Sequence, residues 1–412
     1  MTKVHVKWGP KDLEVPCNPD HPVLEFMTTL QNVTGVPIDN QKLTMRRRQI
    51  KPGDSWKPGD ITEKSRFMLI GTAELPPVNV APPVEEEEIN EDEEGKFTSK
   101  ELEAITKGLP NLGNTCYLNS CLQTLRLLPE CRDVILSSNV PPNSPNANVV
   151  RCLADLFRNF PQGLNHAFQA LKVSNPALFN AVDEQGLPKQ QDVTEAWWYI
   201  YNIFKNAIGR SFNNLFEITF EVRQSKLGDN APASVTEETD NHISVIINEE
   251  VRQLEQGVKL DEDVESTGEG NTTIYRYERR IATLPRYLTF QMLRFAYKKD
   301  EQITAKLVRR VVHPMEIDTL QWLAPDLRKE IIAERENEEN KSRRGYYKLK
   351  AVITHRGRSA DSGHYITHVC VKGQWFRFDD MKVTEVDEEA IEMLAGSGDW
   401  HCSVLLIYES EE

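Results

Sequence analysis

The chain has 412 residues and a formal net charge of −14 at pH 7. It is long enough for two domains with at least one sizeable core. The negative charge disfavours nucleic acid as a partner, because most of the surface would repel a phosphate backbone. No segment approaches the roughly 18 apolar residues of a membrane span, and the N-terminus lacks an apolar run of signal-peptide length. We therefore expect a cytoplasmic and nuclear protein that does not bind membranes.

The cysteines are typical of reduced thiols. There are seven, an odd number at irregular spacing, and none forms a CxxC pair. This pattern disfavours both a disulfide framework and a structural zinc site. We expect neither a metal nor another cofactor.

Residues 1–73 are predicted to form a small first domain. The elements in chain order are strands around 4–8 and 13–15, a helix over 23–30, and strands at 42–45 and 67–70. This order resembles the β-grasp fold of ubiquitin-like domains. Because Gly71 is followed by Thr72 and not by a second glycine, we expect a domain that binds a partner and is not released as a modifier. The alternative is a tethered domain that only stabilises the chain.

Residues 74–103 are predicted to be a linker, because a proline-rich stretch is followed by a run of acidic residues. Prolines lack backbone donors and like charges repel, so neither part favours regular structure. Residues 104–412 then form the second domain, helical to about residue 215 and rich in strand-like runs after it. Polar stretches at 224–241, 259–272 and 334–344 are expected to be surface loops, although the last could extend a charged helix over 328–343.

Cys116 lies where a polar loop meets an amphipathic helix that Asn114 or Thr115 could cap. Unpaired N–H groups at a helix N-terminus favour a thiolate over a thiol, and the same donors can hold the negative oxygen of a tetrahedral intermediate. This position favours Cys116 as a nucleophile. The simpler alternative is a small buried apolar side chain.

A thiol nucleophile needs a base and a group that orients the base. His364 begins one predicted strand, and Asp379 and Asp380 end the next. Antiparallel pairing would bring the end of the second strand beside the start of the first. His355 and His368 lie nearby, but only His364 follows a glycine that leaves room for a substrate chain.

Four sequence boxes, taken together, resemble the ordered motifs of the ubiquitin-specific proteases. They are Gly108-Leu-Pro-Asn-Leu-Gly-Asn-Thr-Cys-Tyr117, Gln190-Gln-Asp-Val-Thr-Glu195, Ser362-Gly-His-Tyr365 and Phe378-Asp-Asp380. The resemblance implies an α+β chain whose papain-like catalytic domain has a helical thumb and a β-rich palm and fingers. With the N-terminal ubiquitin-like domain, the chain is most similar to the proteasome-associated members of that family.

The resemblance also implies roles for individual residues. It makes Cys116 the nucleophile, His364 the general base and Asp379 the group that orients His364. Asn111 would donate its side-chain amide to the oxyanion, and Asp380 stays the alternative third member of the triad.

A second set of residues is expected to bind the substrate. The resemblance places Asp192 against an arginine in the tail of ubiquitin, with Gln191, Gly363 and Tyr365 in the same groove. From the residues alone, Asp192 could instead start a capping box with Glu195. The two roles are compatible, since a cap uses only one carboxylate oxygen.

The activity implied is a thiol deubiquitinase that hydrolyses the isopeptide or peptide bond at the C-terminal glycine of ubiquitin. Its expected partners are ubiquitin, ubiquitinated proteins and the regulatory particle of the 26S proteasome, reached through the ubiquitin-like domain. Residues 259–272 and 356–363 occupy the positions of two loops that block the tail groove in this family. The rival expectation is a catalytically silent adaptor that brings ubiquitin to the proteasome.

Overall fold

The computed structural model divides the chain into two units, Met1–Asp92 and Glu93–Glu412. No helix in the described part of the chain is long and apolar enough to cross a membrane. The structure describes residues 2–8, 11–17, 19, 22–34, 36, 38–45, 48–54, 56, 61–62, 65–70, 97–182, 186, 188–229, 231–268, 271–298, 303–337, 342–359, 362–396 and 401–412.

The first unit contains one mixed sheet and one helix. Its elements are β1 (Thr2–Trp8), β2 (Lys11–Cys17), α1 (Val23–Thr34), β3 (Lys42–Met45), β4 (Arg48–Ile50) and β5 (Arg66–Ile70). The strand order is β2-β1-β5-β3-β4, with β1 parallel to β5. Alternation along the strands turns apolar residues such as Val4, Val6 and Leu43 toward Phe26 and Leu30 of α1. The opposite face of the sheet carries polar residues together with the exposed Met68 and Ile70.

The second unit begins with helices and continues with strands, which confirms the predicted division. Its helices are α2 (Ser99–Ile105), α3 (Cys116–Leu127), α4 (Pro129–Ser137), α5 (Ala147–Arg158), α6 (Leu164–Ser174), α7 (Pro176–Phe179), α8 (Val193–Ile208), α9 (Arg210–Asn213), α10 (Leu254–Gly257), α11 (Pro325–Glu336) and α12 (Glu388–Glu392). The first of them, α2, lies partly within the stretch assigned to the linker, because Thr98 and Glu101 form a capping box that starts it.

The strands of this unit form two large sheets. Its strands are β6 (Ile218–Lys226), β7 (Ser234–Asp240), β8 (Ile243–Ile246), β9 (Asp261–Gly268), β10 (Asn271–Thr283), β11 (Tyr287–Leu293), β12 (Phe295–Lys298), β13 (Ile303–Lys306), β14 (Glu316–Asp318), β15 (Tyr346–Ser359), β16 (Ser362–Val371), β17 (Gln374–Asp379), β18 (Lys382–Val386) and β19 (Cys402–Ser410). One sheet has the order β18-β17-β16-β15-β19-β11-β8, with β14 paired to β15. The other has the order β7-β6-β10-β9, and β12 and β13 form a separate two-stranded sheet.

The prediction of surface loops at 224–241 and 259–272 was wrong. The described residues of these stretches lie mainly in the hairpins β6–β7 and β9–β10. Their residues are polar on both faces because solvent covers both faces, as the exposure along β7 indicates. Cross-strand ion pairs such as Arg276 with Asp263, at 2.9 Å, replace the apolar alternation that identifies a strand in a sequence. At the third stretch, α11 ends at Glu336, so the helical alternative is correct only for the first three residues, and the described residues 342–344 are not helical.

Helix α3 is the centre of the helical half, since all 12 of its residues are buried. A helix buried on every side must satisfy its polar side chains within the protein. Thr124 does so with two bonds of 2.8 Å, by donating from Oγ1 to the carbonyl of Ser120 and by pairing with Oγ1 of Thr367 on β16. The second bond joins the helix that begins with Cys116 to the strand that carries His364.

We expect Thr367→Val to lower the free energy of unfolding by about 1 kcal/mol, because one buried hydrogen bond is lost while Thr124 keeps its bond to Ser120. Urea unfolding measures the change as a shift of the midpoint at constant slope. Thr272→Val makes the same substitution at an exposed position of β10. Equal midpoints for the two variants would contradict the prediction.

Candidate active site

The loop before α3 reverses direction through two consecutive residues with left-handed backbone. Gly113 has a φ of 98° and Asn114 a φ of 52°, a conformation that Gly and Asn adopt most readily. This turn delivers Cys116 to the first position of α3. The thiol therefore lies at the positive end of the helix dipole.

The predicted cap of α3 was wrong. Thr115 occupies the N-cap position, but no described side chain caps the helix. The hydroxyl of Thr115 accepts from the backbone N–H of Leu112 at 2.8 Å, and Asn114 donates from Nδ2 to the carbonyl of Pro188 at 2.8 Å. Both side chains stabilise the loop, so the N–H groups of the first turn are not used by a side-chain cap.

His364 meets Asp379 where β16 begins and β17 ends. The Nε2 atom of His364 lies 2.6 Å from Oδ1 of Asp379, and Arg377 donates to Oδ2 of the same carboxylate at 2.8 Å. The hydrogen bond with Asp379, and next the one with Cys116, raise the pKa of His364 to about 10. The hydrogen bond with His364 lowers the pKa of Asp379 to about 2. At neutral pH the pair is an imidazolium and a carboxylate.

Asp380 holds the loop that precedes Cys116. It has a φ of 51°, and its carboxylate accepts from Asn111 Nδ2 at 2.9 Å and from Asn119 Nδ2 at 2.8 Å. Its carbonyl accepts from the N–H of Leu109 at 3.0 Å. A Cβ on Gly108 would lie 2.5 Å from the same carbonyl oxygen. Asp380 therefore fastens the nucleophile loop to the turn that carries Asp379.

The side chain of Asn111 braces the same loop. Its Oδ1 accepts from the N–H groups of Gly113 at 3.0 Å and Thr115 at 3.1 Å, while Nδ2 donates to Asp380. An amide nitrogen carries two hydrogens. One N–H of Asn111 thus remains for the predicted contact with an oxyanion.

His364, Asp379 and Asp380 also present potential metal-ligand atoms that lie within 4.8 Å of one another. Both oxygens of Asp379 are hydrogen-bonded, to His364 and to Arg377. Those of Asp380 accept from two asparagine amides. The group functions as a hydrogen-bond network that joins the nucleophile loop to the base.

The predicted substrate residues Asp192 and Gln191 lie just before α8. Asp192 caps this helix by accepting from the N–H and the hydroxyl of Thr194, each at 2.6 Å. Both bonds use Oδ1, and within the described chain Oδ2 has no hydrogen-bond partner. The cap is thus made with Thr194 and not with Glu195, and one carboxylate oxygen stays available to a cationic ligand. Gln191 is half-buried and donates to the carbonyl of Lys189 at 3.3 Å.

Gly363 and Tyr365 flank His364 but differ in exposure. Tyr365 is 1% exposed, because neighbouring residues of a strand point to opposite faces of the sheet. The expected part of Tyr365 in substrate binding stays a prediction. Gly363 is exposed with a φ of 137°, and a Cβ there would lie 2.2 Å from the carbonyl oxygen of Arg356 and 2.6 Å from Nε2 of His355. Close packing against β15 therefore requires glycine at this position.

Within the stretch 356–363, residues 356–359 belong to β15 and 362–363 to β16, and residues 360 and 361 lie outside the described part of the chain. The expectation of a loop here was wrong for its described residues. The pairing of Ser359 with Ser362 follows a register shift after Arg356, and this irregularity accommodates two glycines that a strand pattern disfavours.

Three further histidines surround His364. His355 is 0% exposed and His368 is 3% exposed. His401, which the sequence analysis missed as a site residue, places its ring centroid 6.2 Å from that of His364. Burial is the main factor that lowers the pKa of all three to about 3. They are neutral at physiological pH, which leaves His364 as the protonated histidine of this group.

A thiol at a helix N-terminus beside an imidazolium–carboxylate pair defines a cysteine hydrolase. The family described as ubiquitin carboxyl-terminal hydrolase matches residues 107–408, which include every residue of this site. The chain belongs to this family and is a cysteine-type deubiquitinating enzyme. This confirms the resemblance found in the sequence.

Relatives match over the whole chain. Ubiquitin carboxyl-terminal hydrolase 14 of Caenorhabditis elegans is 28% identical over 469 residues, covering 100% of this chain and 94% of the relative. Ubiquitin carboxyl-terminal hydrolase 6 of Arabidopsis thaliana is 27% identical over 483 residues, covering 100% of this chain and 99% of the relative. The enzyme is thus a member of the family close to the hydrolase 14 type.

The fold has solved counterparts. A SAGA Ubp8/Sgf11/Sus1/Sgf73 DUB module bound to ubiquitin aldehyde contains a chain that superposes with a TM-score of 0.59 at 19% identity. The superposition covers 75% of this chain and 70% of that chain. At this identity the likeness establishes the fold of the catalytic unit and nothing further.

We expect Gly363→Ala to lower kcat for a fluorogenic ubiquitin derivative by about tenfold or more. The new Cβ must displace the backbone at Arg356 or the side chain of His355, and His364 moves with the strand. Gly373→Ala is the matched control. Gly373 also has a positive φ, at 81°, but a Cβ there meets nothing within 4 Å. Both positions have a positive φ that disfavours alanine, but only Gly363 also lacks room for a Cβ, so equal values of kcat would contradict the prediction.

Proposed function

We propose that this enzyme hydrolyses the isopeptide or peptide bond after the C-terminal glycine of ubiquitin, with Cys116 as nucleophile, His364 as acid and base, and Asp379 as the orienting group. The observation that carries this proposal is the 2.6 Å hydrogen bond between Nε2 of His364 and Oδ1 of Asp379, at a histidine whose pKa Cys116 also helps to raise.

In the first half of the reaction, the thiolate of Cys116 attacks the carbonyl carbon of the terminal glycine. The backbone N–H of Cys116 and the remaining N–H of Asn111 stabilise the oxyanion that forms. His364 gives its proton to the departing lysine amine as the C–N bond breaks, which leaves a thioester.

In the second half, His364 takes a proton from water while the water oxygen attacks the thioester carbonyl. The C–S bond then breaks and Cys116 returns as a thiolate. The products are the free amine and ubiquitin with a terminal carboxylate. Asp379 stays ionised and keeps the ring of His364 in place through both halves.

We also propose that Asp192 pairs with an arginine near the end of the ubiquitin chain. Its Oδ2 is the oxygen that the helix cap leaves unused. A carboxylate at the N-terminus of α8 is ordered by its own cap, so less conformational freedom is lost when a guanidinium binds. Gly363 would present backbone to the same tail, since it has no side chain to obstruct the approach.

The test is reaction with ubiquitin that carries a C-terminal electrophile, followed by peptide mass analysis of the adduct. We expect the label on Cys116. A label on Cys152 or Cys370, the two cysteines that are partly exposed, would overturn the assignment of the nucleophile. Binding of ubiquitin without any adduct would support the silent adaptor instead.

For the N-terminal unit, we propose a ubiquitin-like domain over residues 1–73, joined by a linker to a catalytic domain that includes Phe97 and α2, which pack on it, and so begins before the expected residue 104. It would dock on the regulatory particle of the 26S proteasome, so that the enzyme trims ubiquitin from proteasome-bound proteins in the cytoplasm and nucleus. The strand order β2-β1-β5-β3-β4 with one helix on one face supports this proposal. So does the free face of the sheet, where Met68 is 50% exposed beside the exposed Arg66.

We expect Met68→Asp to weaken binding to purified 26S proteasome by about tenfold or more, because it places a charge in an apolar contact. Affinity is measured by cosedimentation with the full chain. Leu24→Asp is the matched control, since Leu24 is 46% exposed on α1 and faces away from this side of the sheet. Equal loss in both variants, or in neither, would refute docking by this face.

A further inference from the structure

Residues 97–110, which we call the strap, lead directly into the loop that carries Asn111 and Cys116. The strap runs antiparallel to α3, because later residues of the helix contact earlier residues of the strap. Asn119 donates to the carbonyls of Leu109 and Pro110 at 3.4 and 3.2 Å. The remaining contacts are Gln123 with the carbonyl of Lys107 at 2.9 Å, and Arg126 with those of Ala104 and Ile105 at 3.1 and 3.3 Å.

Asn119, Gln123 and Arg126 are spaced at i, i+4 and i+7, which places them on one face of α3. They are 2%, 1% and 7% exposed. Buried side-chain donors must find acceptors within the protein, and five backbone carbonyls of the strap supply them. Each of these three side chains, which we call the stripe, binds different carbonyls. The stripe therefore fixes which residue of the strap lies beside which residue of α3.

Arg126 binds two of these carbonyls and also contacts neighbouring side chains. Its guanidinium stacks 3.9 Å from the ring centroid of Phe160 and donates to Oε1 of Gln123 at 3.0 Å. The carbonyls of Ala104 and Ile105 lie at the C-terminal end of α2, where a cation is favoured by the helix dipole. With 7 residues and no buried side chain, α2 is too short to persist without such contacts.

The N-terminal end of the strap contacts β17 and the turn between β16 and β17, the strands that carry Asp379 and His364. The ring of Phe97 lies edge-on to that of Phe376 of β17 with centroids 5.7 Å apart. Glu101 uses Oε2 in the capping box with Thr98 and accepts from Lys372 on Oε1 at 2.9 Å. Lys372 lies in the turn between β16 and β17, the strands that carry His364 and Asp379.

We propose that the strap is a positioning element for catalysis and that Arg126 is its principal positioning residue. Through the strap, the stripe on α3 sets where Asn111 stands relative to Cys116, and the contacts at Phe97 and Glu101 tie that placement to the hairpin of His364. Arg126 does not touch the substrate and acts through residues 104–110. The proposal rests on the roles proposed above for Cys116, His364 and Asn111.

The test compares Arg126→Met with Arg126→Lys in the full-length enzyme, using a fluorogenic ubiquitin derivative. We expect Arg126→Met to lower kcat by about tenfold with KM within about twofold of wild type, because orientation at the reacting atoms is lost while the binding surface is kept. Arg126→Lys retains a buried cation that can reach one carbonyl, so it should recover part of kcat. Arg132→Met makes the same change at an exposed arginine of α4 and should leave kcat unchanged.

Hydrogen exchange separates positioning from general destabilisation. In Arg126→Met we expect faster exchange at residues 104–115, with exchange in α8 and β19 unchanged. A kcat equal to that of Arg132→Met, or faster exchange throughout the catalytic unit with proportional loss of activity, would overturn the proposal.

If Arg126→Met does not fold, a variant at the N-terminal end of the strap tests the proposal instead. Phe97→Ala combined with Glu101→Gln removes partly exposed contacts, and we expect kcat to fall about threefold at unchanged KM. An unchanged kcat would overturn the proposal. An inactive wild type would instead count against the proposed function, which keeps the two failures distinct.

Discussion

Replacing Cys116 by alanine is expected to lower kcat/KM for a fluorogenic ubiquitin derivative by at least about 10⁴-fold, because the covalent route through a thioester is lost. The remaining site offers an oxyanion pocket and a charged histidine but no nucleophile. The rate is measured at saturating and at limiting substrate, and the same variant should give no adduct with ubiquitin that carries a C-terminal electrophile.

The matched control is Cys152→Ala, which removes a partly exposed thiol on α5. It should retain kcat/KM within about twofold of wild type. Cys116→Ala should still bind ubiquitin, because the change removes one buried sulfur and leaves the surface intact. Residual hydrolysis within tenfold of wild type would contradict the assignment of Cys116.

Local sequence signals were sufficient to find the residues that the structure brings together. The helix after Cys116 has a clear apolar period, and antiparallel pairing of neighbouring strands places the start of one beside the end of the next. The second rule brings His364 to the end of β17, where both Asp379 and Asp380 lie, and only the family resemblance favours Asp379 between them. The turn from β16 to β17 is short, so little else could intervene.

The parts that sequence reasoning missed depend on distant contacts or on exposure. Asp380 binds Asn111 from 269 residues away, and no local pattern indicates such a partner. Strands β7 and β9 lack apolar alternation because they are solvated on both faces. Arg294 is 0% exposed and donates to four backbone carbonyls of separate segments. A charged residue is expected at the protein surface, so these buried hydrogen bonds of Arg294 could not be predicted from the sequence.

Replacing Asp379 by asparagine is expected to lower kcat at pH 7 by about 10²-fold or more and to move the alkaline limb of the pH profile to lower pH. The hydrogen bond with Asp379 is the largest contribution that raises the pKa of His364 to about 10. Without the carboxylate the pKa falls toward its ordinary value, so the imidazolium that protonates the leaving amine is lost at lower pH. The measurement is kcat as a function of pH for wild type and variant.

Asp380→Asn is the matched control, because it makes the same change one residue further along the chain. Asparagine cannot accept from both Asn111 and Asn119 as the carboxylate does, so the nucleophile loop loosens and kcat should fall about tenfold. His364 keeps its bond to Asp379, and the alkaline limb should therefore stay where it is in wild type. A limb that moves in Asp380→Asn and not in Asp379→Asn would make Asp380 the group that orients the base. The position of the alkaline limb in the two variants therefore assigns the third member of the triad. A loss of stability alone does not move that limb.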